Sequence, residues 1–147
     1  MNPATWGSRI PDYIKNRRTV YLPFLRKRPE GDLEILSVFD FPHPNDITGA
    51  RPQTTVATQA LFLLNAPFVK QQAAAMSARL AGEQPEERGR IRQLYLLITG
   101  RPPAEIEVDS TLTFLDECAT DLNGDRNAAW NQLCHAMLGS NGFLFRE

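Results

Sequence analysis

Residues 51–68, RPQTTVATQALFLLNAPF, constrain the fold more than any other stretch. Between positions 57 and 66 only Thr58, Gln59 and Asn65 are polar. A run with too few polar positions to show two faces predicts a buried element. Its punctuation is specific. Thr54 or Thr55 stands where a helix start needs a side-chain acceptor for an orphan backbone N–H. Asn65 followed by Ala66 and Pro67 is a second start, because proline is tolerated in a helix's first turn. The pattern predicts two helices meeting at an angle at Asn65. A single helix kinked there is the alternative.

At 147 residues the chain has the length of one domain with a real core. Its 42% hydrophobic and 22% charged residues are ordinary for a soluble globular chain. Prolines are less evenly placed: seven of eleven precede Thr54. The sequence therefore divides into a Pro-rich basic arm and loop, 1–53, and a helical body, 54–147. Charge divides similarly. Residues 1–30 hold seven Lys/Arg against two Asp/Glu, whereas the rest hold nine against fifteen. A basic arm can meet a polyanion or lie on the acidic body of its own chain. No run of roughly 18 uncharged apolar residues predicts a membrane span. The first residues lack the basic-then-apolar pattern of a signal peptide.

Along the arm, TVYLPFL at 19–25 is β-prone, but Pro23 confines it to an edge. LEILSVF at 33–39 reads as a helical turn or a short strand. DFPHPNDITGARP at 40–52 is loop, since X-Pro steps disfavour helix. Beyond Asn65 four helices follow. The first, over 66–81, carries Val69, Ala73, Met76 and Leu80 on one face, and Gly82 ends it. Pro85 opens the second, with Glu86 and Glu87 in its first turn, where they complement the helix dipole. Ile91, Leu94, Tyr95 and Ile98 form its stripe, and Gly100 stops it. Pro102 and Pro103 open the third, whose stripe is Val108, Leu112, Leu115, Cys118, Ala119 and Leu122. Asn123 and Gly124 turn the chain. Asp125 or Asn127 caps the last helix, with Trp130, Leu133, Cys134, Met137 and Leu138 inward and Gly139 at its end. Phe143 and Phe145 fold back as a hook on the core. The fold class is all-α: an irregular bundle of about five helices with a Pro-rich, partly extended N-terminal arm.

Candidate chemistry is sparse. Cys118 and Cys134 fall on core stripes of neighbouring helices. They form a disulfide if their Cα atoms approach to about 5.5–6 Å, and otherwise act as small buried hydrophobes. Cys134 and His135 do not make a c-type haem site, which needs two cysteines ahead of the histidine. With only His43 and His135 present, zinc would need Cys or carboxylate ligands. No catalytic residue, metal site or cofactor is assigned. The candidate loop site is Asp40, His43, Asp46 and Arg51, where an acid/base group or metal would gather. The same carboxylates equally hold a loop by bonding nearby backbone N–H groups. Arg17, Arg18 and Tyr21 are candidate anion contacts of the arm. Arg17 or Arg18 can instead pair with Asp40 or Asp46 and fix the loop. Tyr13, Tyr21 and Phe24 interleave with basic residues as single-stranded nucleic acid requires, but no nucleic-acid-binding motif accompanies them. Arg88, Arg90, Arg92 and Arg101 read as a solvated face, with Glu86 supporting Arg90. No P-loop, GxGxxG, GxSxG or HExxH is present.

The order of several short motifs carries a resemblance. RRTVY at 17–21 precedes FDFP at 39–42 and Arg51. TTVATQAL at 54–61 and LLNAPFV at 63–69 follow, then RIR at 90–92 and GRPP at 100–103. WNQLCHAML at 130–138 and SNGF at 140–143 complete the set. Over about residues 17–145 this resembles the C-terminal part of the planctomycete DUF1553 family, also called PSD1. The resemblance implies a large exported protein, with a DUF1549 domain upstream and sometimes a c-type cytochrome domain before it. It implies that this chain is a C-terminal fragment in an extracytoplasmic setting, whose partners are the upstream domains of the same polypeptide. Family members often carry a Cys before the Arg-x-x-Thr region, and here residues 46–50 have none. The family brings no established activity and no catalytic residues to map.

Two expectations follow, in different classes. One is a non-catalytic docking or structural module, marked by exposed apolar surface. The other is a loop that completes a hydrolytic or redox site shared with an upstream domain. A third, polyanion or carbohydrate binding by the arm, depends on Tyr21 and Phe24 being exposed.

Overall fold

The computed structural model describes Val38, Phe39 and residues 57–144. Among the described residues there are six helices and no strand, so the body is all-α as the pattern predicts. They are α1 (Ala57–Asn65), α2 (Pro67–Glu83), α3 (Glu87–Thr99), α4 (Glu105–Asp121), α5 (Arg126–Leu138) and the single turn α6 (Asn141–Leu144). The chain divides into two units, and from Ala60 onward these helices lie in the second, Ala60–Glu147. The Thr54 or Thr55 cap, the β-prone segment 19–25 and the loop 40–52 lie outside the described residues.

The break between α1 and α2 is Pro67's doing twice over. Proline excludes the residue before it from helical backbone, and Ala66 is extended at φ −60°, ψ 126°. Proline also has no N–H, so the Leu63 carbonyl loses its i+4 partner inside the helix. The Ala66 N–H still reaches Phe62 O at 2.8 Å, and Lys70 N–H already reaches Ala66 O at 3.2 Å. The result is two helices, with Pro67 at the N1 position of the second.

The other boundaries follow local chemistry. Gly100 ends α3 in the left-handed region at φ 75°, its N–H on Leu96 O at 3.2 Å. Asn123 at φ 56° and Gly124 at φ 86° make the turn after α4. Asp125 rather than Asn127 caps α5, accepting from the Ala128 N–H at 2.9 Å. At α4 the N-cap Ala104 has no side-chain acceptor. There Glu107, in the first turn, takes the Ala104 N–H at 2.7 Å. Three boundaries differ from expectation, and one is the start of α4 at Glu105, two residues after Pro103. Gly82 lies inside α2, which runs to Glu83 and closes with the Gln84 N–H on Leu80 O at 2.9 Å. α3 begins at Glu87, two residues after Pro85.

α2 packs most extensively on α5, which also takes α4, while α3 touches α2, α4, α5 and α6. Trp130, Leu80, Ile91, Leu94, Leu115, Val108 and Cys134 are the largest fully buried side chains. The predicted stripes hold in part: Tyr95, Cys118, Leu122 and Met137 are only half-buried, and two positions are exchanged. On α2 Ser77 is buried where Met76 is only half-buried, and on α4 Thr111 is buried where Leu112 is half-buried. Thr111 tolerates this because its hydroxyl donates to Glu107 O at 2.6 Å, one turn back. Phe143 is 45% exposed and does not fold into the core. Phe145 lies outside the described residues.

Candidate functional site

Polar side chains from α3, α4 and α5 form a single node. Arg126 opens α5, at the helix end where a cation is disfavoured by the backbone dipole. Two acids from other helices offset that. Its Nε and Nη2 donate to the two oxygens of Glu87 at 2.9 and 2.8 Å, and Nη1 donates to Asp116 Oδ1 at 2.7 Å. Glu87 Oε1 also accepts from Trp130 Nε1 at 3.0 Å. The Arg90 guanidinium lies 5.0 Å from the centroid of the Trp130 ring and donates to Gln84 O at 3.2 Å. One arginine thus binds α5 to α3 and α4, and a buried tryptophan finds its polar partner in the same acid.

A second set lies along the α3–α4 pair. Arg88 donates to Asp109 at 2.6 Å and to Glu105 at 3.2 Å, and Arg92 donates to Glu105 at 2.9 Å. Arg101, in the connection, holds both oxygens of Glu107 at 2.8 and 2.6 Å. The four arginines are therefore not simply a solvated face. Three cross between elements as ion pairs and Arg90 covers Trp130 rather than serving Glu86. Sequence spacing along one helix could not show this, because the partners lie on the next helix.

The ion pairs shift four of these groups. The Arg126 hydrogen bonds hold the Glu87 carboxyl below its ordinary range, and Glu87 in turn raises Arg126. Arg101, helped by the Ala104 N–H, lowers Glu107 to about 2, and Arg101 is raised by the same pair. A general acid or base works with a pKa near the operating pH, and these groups are driven away from it. Burial pushes the Cys134 thiol up to about 11, the reverse of an activated thiolate. Cys134 is buried, Cys118 is half-buried, and both are free thiols. Among the described residues no three His, Cys, Asp or Glu side chains gather as a metal site, and no helix is long and apolar enough to cross a membrane.

The remaining feature is apolar. The apolar run predicts a buried α1, yet the helix buries Gln59 and Leu63, followed by Ala66 at the joint. Leu61 and Leu64 are 57% and 53% exposed, and Phe68 in the first turn of α2 is 42% exposed. Leu61 and Leu64 stand three apart and share a face. On the body side, His135 Nε2 lies 3.0 Å from Leu63 O. A Cβ placed on Gly139 would sit 4.0 Å from Leu64 Cδ2, so the tip of α1 rests at the C-terminal end of α5.

The loop candidates Asp40, His43, Asp46 and Arg51, and the arm candidates Arg17, Arg18 and Tyr21, all lie outside the described residues. The Arg126–Glu87–Trp130 node and the His135–Leu63 contact were missed in the sequence. Glu87 at a helix start and a lone arginine opening a helix were the available hints.

A sequence model of PSD1, described as a protein of unknown function (DUF1553), matches residues 4–115. No curated protein and no solved structure matches the chain.

Proposed function

The chain belongs to the PSD1 family of proteins of unknown function (DUF1553), and on that footing we propose that its helical body is a non-catalytic docking module. It is received by the other domains of a larger, exported polypeptide, in an extracytoplasmic setting. The observation that carries this reading is the outer face of α1 and the start of α2. Leu61, Leu64 and Phe68 are each about half exposed, on a helix that has already buried its own inward stripe. Large apolar side chains left exposed close together in sequence, beyond the needs of the core, favour an interaction surface. The ion pairs of α3, α4 and α5 fit the same role. They fix helix geometry in charged form, and so present a face of defined shape.

The test is calorimetric titration of the remainder of the longer polypeptide into this chain, with a Leu61→Ser, Leu64→Ser variant alongside. Each leucine is half exposed, so completing its burial contributes about 1 kcal/mol, and losing both weakens binding roughly thirtyfold. Binding unaffected by the double substitution, or no binding by the folded chain, rejects the reading.

A further inference from the structure

We propose that His135 is a latch that fixes the angle between α1 and α2, and with it the presentation of Leu61, Leu64 and Phe68. The inference deepens the docking reading, and its geometry stands apart from it.

The argument starts from the Leu63 carbonyl. In an unbroken helix it would accept from the N–H of residue 67. That residue is Pro67, which has none. The neighbouring carbonyls keep their partners: Leu61 O accepts from Asn65 Nδ2 at 2.9 Å and Phe62 O from the Ala66 N–H at 2.8 Å. Leu63 O is met at 3.0 Å by His135 Nε2, from a residue 72 positions away on α5. A carbonyl only accepts, so Nε2 is the protonated nitrogen and the tautomer is set. One side chain therefore replaces the hydrogen bond that the proline removed, and does so from another helix.

The position matters for the joint. Ala66 is the single extended residue between α1 and α2, so rotation there swings α1 as a unit. Leu63 is buried and Leu64 rests beside Gly139, so the latch holds the turn of α1 that carries an outward leucine. Without the donor, α1 keeps its apolar contacts and the Gln59 Nε2 bond to Val38 O at 3.2 Å, and Leu63 O needs water. With the donor, α1 is held in one orientation, and the apolar face it carries is pre-organised for a partner.

Hydrogen exchange on the isolated chain tests this without any partner, so its failure is distinguishable from failure of the docking reading. His135→Phe keeps the ring volume and removes the donor. His135→Gln keeps a donor at similar reach. In His135→Phe the amides of 62–66, with Ala66 as the reporter, should exchange about tenfold faster. The core amides of α2 and α5 should be unchanged, and His135→Gln should restore protection. Adding Pro67→Ala to His135→Phe frees Ala66 to become helical, so that the new N–H of residue 67 reaches Leu63 O, and should also restore protection. Unchanged exchange in His135→Phe overturns the latch. So does a loss spread equally over α1, α2 and α5, because that reports core damage rather than release of one joint.

Discussion

Arg126→Ala is the substitution whose cost the structure sets most clearly. The wild-type side chain is about one-third exposed, as is its partner Glu87, and it makes three charge-assisted hydrogen bonds to two other helices. Such bonds contribute roughly 1.5–3 kcal/mol each when well shielded. Discounting for partial exposure, and more heavily for Asp116 at 73%, leaves about 2 kcal/mol in all. Glu87 would keep the Trp130 Nε1 bond and the nearby Arg90 charge, and Asp116 would lose its Arg126 bond. For a helical body of this size that corresponds to a drop in Tm on the order of 10 °C. Arg88→Ala is the control, because Arg88 and its acids are more exposed, and it should cost less than about 0.5 kcal/mol. Urea denaturation followed by helical circular dichroism measures both. If the two variants lose the same stability, the node does not join the three helices in the manner described, and the argument from shielding fails.

Two further outcomes follow from the same geometry. Glu87 and Glu107 both bind a proton less readily when folded than when unfolded. Their contribution is therefore complete above the unfolded carboxyl value of about 4.3, and is lost as pH falls through the folded values, near 2 for Glu107. Urea midpoints should decline from pH 5 to pH 2, and Glu107→Gln should flatten that decline while lowering the plateau at neutral pH. Gly100→Ala forces a side chain into the left-handed backbone at φ 75° and should cost about 1 kcal/mol, whereas Gly82→Ala, with open space around it and an ordinary helical position, should gain up to about 1 kcal/mol. Thermal melts of the two alanine variants, moving in opposite directions, check this.

The helical body was legible because its signals are local. Proline before a helix, glycine in the left-handed region and the 3.6-residue stripe each act within a turn or two. Pro67, Gly100 and the Asn123–Gly124 turn accordingly lie where the pattern places them. Three features depend on what another helix supplies. Leu61 and Leu64 read as core because apolar character states a preference for burial, not whether a partner surface is present. Ser77 and Thr111 are buried where Met76 and Leu112 are half-buried, and apolar character along one helix does not foretell that exchange. Arg126, Glu87 and Trp130 are 39 and 43 positions apart in the pairs they form, and no spacing rule along one helix reaches that far. Of the candidate sites, the loop of Asp40, His43, Asp46 and Arg51 lies outside the described residues, and the exposed α1 face was anticipated only as a kind of surface, without its residues.

The central claim is that the outward face of α1 docks onto another domain. Calorimetric titration of the proposed partner domains into this chain tests it most directly. The account predicts micromolar or tighter binding, weakened roughly thirtyfold by Leu61→Ser with Leu64→Ser, with Arg88→Ala behaving as wild type. No heat of binding from a fully folded chain, or equal affinity for the wild type and the double variant, would contradict it.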